Sequence, residues 1–338
     1  MTDPVDVDLS IVVPSARETP GDLIESLLTQ ATNGDELILV KDTAWHEGNW
    51  SLGVTPAETR SGVTGQQNST DTPGWAAAER VRVEQTHGGA AVARNTGWRS
   101  ATNDRILFLD DDIEVRAGFL QAVRRSVSRN PDSNVVGFRI VSPPPETDWE
   151  RMGEETLTLD RGQKQRTSDG TAVRIQDVWL YGSGGAFAAT RSVLERTNGF
   201  KDHLGAGRPY GGTADMEFLW HASHHGPISY DGDVSVLHAH PRTRNEWANK
   251  LIDYGRGLGF LAGAIETEDS RTHALGYCSF IREALETTGV SSLPDRKQRL
   301  AKRSIDAAVT ETIRTLTFSW ESVSMKLACS QYCVGGTE

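Results

Sequence analysis

Arg105-Ile-Leu-Phe-Leu-Asp-Asp-Asp112 is the stretch on which the fold turns. Its apolar run is too short for a helix and unbroken by polar residues, which is how a strand buried on both faces reads. The acids that follow place the strand's end at a surface. Working outward, similar runs recur at Leu9 to Val13, where Pro14 is expected to end the strand, at Glu36 to Val40, at Arg80 to Glu84 and at Asn134 to Val141. Between them lie helical patterns at Gly21 to Gln30, Gly89 to Ser100 and Ala117 to Arg129; the first carries Leu23, Ile24, Leu27 and Leu28 on one face. Strands alternating with helices predict an α/β protein, with a mostly parallel sheet sandwiched by helices.

Two segments interrupt this rhythm. Thr43 to Ala78 is rich in Gly, Ser, Thr, Asn and Pro and reads as a long surface insertion. Pro143 to Gly170 is a second polar stretch, expected to be mobile and close to a site. After Arg242 only helical spacing remains, from Glu246 to Ile265 and from Pro294 to Leu327, the latter with Ile305, Val309, Ile313 and Leu316 in step. The expected organisation is a domain over 1–242, with its insertion at about 43–79, and a C-terminal helical region over 243–338.

Composition excludes several classes. The chain has 338 residues, 37% hydrophobic and 24% charged, with net charge -11. That is enough to bury a large core, and the acidity speaks against a general nucleic-acid binder, because phosphate backbones select clustered positive charge. Lysine occurs at only seven positions, so arginine supplies most of the positive charge. An acidic, lysine-poor surface is what a high-salt cytoplasm favours, although GC-rich coding gives the same bias. Cys278, Cys329 and Cys333 are odd in number and late, which fits neither a disulfide scaffold nor a zinc site. The longest apolar stretch, Leu258 to Ile265, falls far short of the roughly 20 residues that cross a bilayer. The acidic start MTDPVDVDLS is unlike a signal peptide, so a cytoplasmic protein is expected.

Three clusters could carry chemistry. In a strand, residues two apart share a side, so Asp110 and Asp112 are expected to face together and Asp111 away. Two carboxylates at a strand's C-terminal end suit a hard cation such as Mg²⁺ or Mn²⁺; the same acids could instead solvate a turn. In Gly211-Gly-Thr-Ala-Asp-Met-Glu-Phe-Leu219, Thr213 is the expected N-cap and Asp215 sits in the first helical turn, where an acid also serves the helix dipole alone. Val236-Leu-His-Ala-His-Pro241 puts His238 and His240 on one face of a strand end, imidazoles that can ligate metals but more often are structural. Gly182-Ser-Gly-Gly185 and Gly255-Arg-Gly-Leu-Gly259 do not form a dinucleotide fingerprint, and no P-loop is present.

Taken in order, these pieces resemble a family 2 glycosyltransferase of GT-A fold over about residues 8–260. Leu9-Ser-Ile-Val-Val-Pro14 is similar to the family's first strand and turn, and Leu37-Ile-Leu-Val-Lys-Asp42 to its second. His87-Gly-Gly-Ala-Ala-Val-Ala-Arg-Asn-Thr-Gly97 resembles its Gly-x-x-x-Ala-Arg-Asn-x-Gly helix, Phe108-Leu-Asp-Asp-Asp112 its Asp-x-Asp motif, and Gly184-Gly185 with Asn198-Gly-Phe200 its acceptor side. The resemblance implies that Pro14, Ser15, Arg17, Asp42, Arg94, Asp110 and Asp111 bind the nucleoside-diphosphate sugar, a UDP-sugar before others. It implies Asp112 and His238 as ligands of Mg²⁺ or Mn²⁺, Gly184 and Gly185 on the acceptor side, and Asp215 as the general base of an inverting hexosyl or hexuronosyl transfer. Lys41 stands where the family has an acid and Ala214 where it has Glu, so a catalytically inactive sugar-nucleotide or glycan binder is the rival, and a sugar nucleotidyltransferase a lesser one.

A basic cluster, Arg296, Lys297, Arg299, Lys302 and Arg303, could dock on anionic lipid or simply be a solvated helix face. If it docks, the expectation is a peripheral enzyme on the inner membrane face that extends a lipid-linked or cell-surface glycan. In a salt-adapted archaeal cell this resembles surface-layer N-glycan assembly.

Overall fold

Successive residues of the apolar strands face opposite sides of one sheet, and each side has its own core. A computed structural model of the chain describes residues 7–16, 20–42, 81–157, 159–175, 177–206, 208, 211–239, 243–265, 303–304, 306–310 and 312. Its strands are β1 (Leu9–Ser15), β2 (Glu36–Asp42), β3 (Val81–Thr86), β4 (Arg105–Leu109), β5 (Ile113–Glu114), β6 (Val135–Val141), β7 (Gln165–Thr167), β8 (Ala186–Thr190) and β9 (Ile228–His238). They form one sheet in the order β3-β2-β1-β4-β8-β6-β9-β5, with β7 also paired to β9. Pairing is parallel from β3 through β4; β8 enters antiparallel between β4 and β6, and β6 and β9 are again parallel. The sheet is therefore mixed and mostly parallel, as expected.

The helices are α1 (Gly21–Leu28), α2 (Gly89–Ser100), α3 (Phe119–Arg129), α4 (Asp148–Leu157), α5 (Arg191–Thr197), α6 (Ala214–Ser223) and α7 (Arg244–Ile265). Leu9, Ile11, Val13, Leu37, Leu39, Leu107 and Leu109 turn to the face covered by α1 and α3. Val12, Ile38, Val40, Ile106 and Phe108 turn to the face covered by α2, α5 and α6. Each fully buried aliphatic side chain contributes about 1.5–3 kcal/mol, so the continuous apolar runs are what a sheet covered twice requires.

One expectation is corrected here. Pro14 does not end β1: the strand continues to Ser15, with Pro14 in register with Val40. Pairing with β4 stops at Val12, so on that side Pro14 lies on an open edge, where a missing N–H costs no ladder bond. The polar stretch from Pro143 to Gly170 contains α4 and β7, which were not foreseen, and Leu157 and Leu159 line the cleft described below. Met152 of α4 is buried with Trp247, Ala248 and Leu251 of α7 and with Ala308 and Val309. The Trp149 and Trp247 rings lie 5.6 Å apart, and Trp247 Nε1 donates to Thr156 Oγ1 at 2.9 Å. The insertion at 43–78, the cysteines and most of the 294–327 helix lie outside the described residues.

Candidate active site

β1, β2 and β4 run parallel, so their carboxyl ends reach the same edge of the sheet. β2 flanks β1 on one side and β4 on the other, and such a reversal of strand order is where open sheets bind ligands. A cleft of roughly 490 Å³ opens there, within the usual range of about 300–1,000 Å³ for small-molecule sites. Pro14 and Ser15 line it from β1, Asp42 from β2, and Asp110, Asp111 and Asp112 from the turn after β4.

Each acid has its own partner. Asp42 accepts from the backbone N–H groups of Gly88, at 3.2 Å, and Gly89. Gly88 is the N-cap of α2 and has no side chain to cap with, so a carboxylate from the neighbouring strand satisfies the orphan donors and faces the helix dipole. With its start fixed, α2 brings the buried Arg94 over the cleft floor. Arg94 Nη2 donates to Asp110 Oδ1 at 2.6 Å and to the Gly184 carbonyl at 3.2 Å. Asp111 accepts through Oδ2 from Ser15 Oγ at 2.8 Å and Ala16 N at 3.2 Å. Asp112 Oδ1 lies 3.4 Å from His238 Nε2. The expectation that Asp111 points away is therefore wrong: β4 ends at Leu109, strand alternation stops there, and all three acids line the cleft. Enclosure pushes the Asp110 carboxyl up; Arg94 opposes that, while Asp112 adds to it.

The pairing of Asp112 with a residue 126 positions later follows from a very short strand. β5 pairs antiparallel with the end of β9, Ile113 opposite His238, which sets the preceding aspartate beside the imidazole.

The other wall is built from the Gly182–Gly185 loop and α6. α6 begins at Ala214 after Thr213, as expected, although the Thr213 side chain makes no capping bond. Asp215 Oδ2 accepts from Gly184 N at 2.6 Å and Oδ1 from Met216 N at 2.9 Å. Gly184 thus donates through its N–H to Asp215 and accepts through its carbonyl from Arg94, which holds Asp110. Asp215 shares one cleft with the 110–112 acids. Asn95, from the helix resembling the family's Ala-Arg-Asn segment, accepts from Phe200 N at 2.9 Å and donates to Phe200 O at 2.7 Å, so two motifs far apart in sequence are joined.

Among the lining residues that were not foreseen are Lys250 and Tyr254 of α7. Lys250, Tyr254, Gly257 and Leu261 fall on one helical face; the first two open on the cleft and Leu261 enters the main core. Gly211 stands at φ 73°, and a Cβ there would lie 2.1 Å from the Asp253 carbonyl, while one at Gly257 would lie 2.5 Å from Thr213 Oγ1. Small residues let α7 sit directly on the loop leading to Asp215, which gives the 255–259 glycine cluster a packing role. Tyr254, Asp112, Asp110 and Asp253 raise the Lys250 pKa against burial, so the ammonium is charged at neutral pH. Burial raises that of Tyr254. The signal for Lys250 was a lone lysine in a glycine-punctuated helix of a lysine-poor chain.

Arg17 and His240 lie outside the described residues, as do Arg296, Lys297, Arg299 and Lys302. Arg303 is described and exposed. Among the described residues no three His, Cys, Asp or Glu side chains stand close enough to hold a metal ion by themselves. The chemistry of Asp112 with His238 nonetheless fits a divalent cation that takes its remaining oxygens from water or phosphate.

Residues 75–196 match the family model described as glycosyl transferase family 2. Over that stretch the chain resembles glycosyl transferase family 2. The family 2 match holds Arg94, the three acids and Gly184, and stops before Asp215, His238 and Lys250. The chain is 27% identical over 176 residues to a pre-mycofactocin glycosyltransferase of Mycobacterium tuberculosis, covering 52% of this chain and 35% of that one. It is 30% identical over 135 residues to an uncharacterized glycosyltransferase of Haemophilus influenzae, covering 38% and 37%. The chain thus spans about a third of the length of the curated relatives it matches. The S. aureus TarS fragment 1–349, solved in complex with UDP-GlcNAc, aligns with TM-score 0.50 at 14% identity, covering 95% of this chain and 92% of that one. That likeness concerns the fold, which is the GT-A arrangement of a mostly parallel sheet flanked by helices. Among the described residues no helix is long and apolar enough to cross a membrane.

Proposed function

We propose that the chain transfers a sugar from a nucleoside-diphosphate donor to an acceptor hydroxyl with inversion at the anomeric carbon. One observation carries this reading: Asp215 faces the same cleft as Asp110, Asp111 and Asp112, tied to them through Gly184 and Arg94. The donor lies across the ends of β1, β2 and β4, its nucleoside against Pro14, Ser15 and Asp42, with a UDP-sugar the first choice. Asp215, fixed by two backbone N–H groups, takes the acceptor proton as the oxygen attacks, and a positioned base contributes typically about 10²–10⁴-fold. A single base opposite the leaving group gives one displacement. Asp112 and His238 would hold Mg²⁺ or Mn²⁺, which when bound offsets charge on the departing diphosphate.

A thermal-shift panel of nucleoside-diphosphate sugars, with and without Mn²⁺, tests the donor, since ligands of the native state raise its stability. No shift with any of them removes the reading. A second reading, a binder without turnover, is favoured by one position: Ala214, buried at the cleft where the family carries Glu. Asp215→Asn separates the two, because an enzyme then loses transfer and keeps nucleotide affinity. For the acceptor we propose a lipid-linked or cell-surface glycan, supported by the basic cluster that includes the exposed Arg303. Liposome flotation of wild type against a Lys/Arg-to-Gln variant of that cluster tests it, and equal flotation removes it.

A further inference from the structure

The cleft is short of available positive charge. Asp42, Asp110, Asp111, Asp112 and Asp215 all line it, against Arg94 and Lys250. Arg94 is committed to Asp110 and the Gly184 carbonyl. Among the described residues Lys250 makes no ion pair and no hydrogen bond, and it is exposed to the cleft. A nucleoside diphosphate entering a wall of carboxylates needs a cation that is not already spent.

We infer that Lys250, delivered by α7, is the protein's own cation for the donor's diphosphate.

Its backbone is well held for that task. Trp247, three residues earlier, is fully buried, tilted against the Trp149 ring and bonded to Thr156. Three residues later the Asp253 carbonyl accepts from Gly212 N at 3.2 Å. The segment carrying Lys250 is thus pinned at both ends, once to α4 and once to the loop before Asp215. A preorganised ammonium stabilises developing charge without having to reorganise as the bond breaks. In the transfer the anomeric C–O bond to the diphosphate cleaves with both electrons leaving on oxygen, the acceptor oxygen forms the new bond, and its proton goes to Asp215. Lys250 stays protonated throughout and donates to a diphosphate oxygen. Lysine suits this role because its compact charge does not demand the planar, bidentate geometry of arginine.

This inference rests on the proposed donor class, and the test keeps the two apart. Calorimetric titration of the full chain with UDP, GDP, uridine and guanosine, each with Mn²⁺ and with EDTA, is expected to show a nucleoside diphosphate bound more tightly than its nucleoside. Lys250→Gln should weaken diphosphate binding about tenfold or more in both conditions, leave nucleoside binding unchanged, and be largely rescued by Lys250→Arg. Wild-type binding of a diphosphate with an unaltered Lys250→Gln overturns the assignment of Lys250 alone. Failure of every nucleotide to bind wild type overturns the donor reading and this inference with it. Should Lys250→Gln not fold, amine acylation of wild type read by peptide mass spectrometry decides: protection of Lys250 by the diphosphate but not its nucleoside supports the role, and equal labelling overturns it.

Discussion

The floor and the roof of the cleft are made differently. The floor, where β1, β2 and β4 end, draws Pro14, Ser15, Asp42 and Asp110–Asp112 from short segments that run straight out of buried strands. The roof, where α7 supplies Lys250 and Tyr254, exists only because a helix late in the chain packs on α4 and on the loop before α6. A floor of this kind is fixed by the sheet's register, whereas a roof of this kind depends on a few distant contacts that single substitutions can loosen.

The largest expected effect concerns the stability of neither floor nor roof but the group between them. Asp215→Asn should lower transfer about 10²–10⁴-fold while nucleotide affinity is kept, read by product formation beside calorimetry. Next comes the roof: Trp247→Ala empties a fully buried site and is expected to cost about 3–5 kcal/mol in urea unfolding, with weaker nucleoside-diphosphate binding as Lys250 loses its anchor. The floor should break differently. Arg94→Met, which strands Asp110 and the Gly184 carbonyl, should cost about 1.5–3 kcal/mol. Gly257→Ala is smaller and sharper, because a Cβ there meets Thr213 Oγ1 at 2.5 Å; we expect a loss of about 1–3 kcal/mol that Thr213→Ala largely restores.

The smallest effect is one of pH, beside the floor. Arg139 donates to both oxygens of Asp160 at 2.8 Å and holds that carboxyl below its ordinary value. A depressed carboxylate stabilises the fold fully above the unfolded value, about 3.9, and loses that contribution as pH falls through the lower folded one. Asp160→Asn should therefore shrink the difference in unfolding free energy between pH 7 and pH 3, by about 0.2–1 kcal/mol for a partly exposed pair, read by urea unfolding at the two pH values.

This contrast also explains what the sequence disclosed. Ile106 to Leu109 announced its strand because both sheet faces demand apolar residues there, and the acids behind it announced the cleft. Asp111 was misplaced because alternation was carried past Leu109 into a turn, where Ser15 and Ala16 decide its direction. The helix at Asp148–Leu157 went unread within a stretch taken only as polar and mobile: its apolar residues Trp149 and Met152 have their partner Trp247 about a hundred positions later, and no local pattern reveals that. Lys250 escaped for the same reason. His238 was legible as a histidine at a strand end, yet its neighbour Asp112 was set by the two residues of β5.

Gly184 has a consequence for how this cleft can change. Its N–H aligns the carboxylate of Asp215 and its carbonyl aligns the guanidinium of Arg94, so the φ and ψ of one glycine set the angle between the two peptide planes that hold them. Turning the backbone at Gly184 to move Arg94 would also disturb the support of Asp215. In the proposed transfer, donor preference and acceptor chemistry are therefore coupled through this residue, and retuning either calls for compensating substitutions in the other.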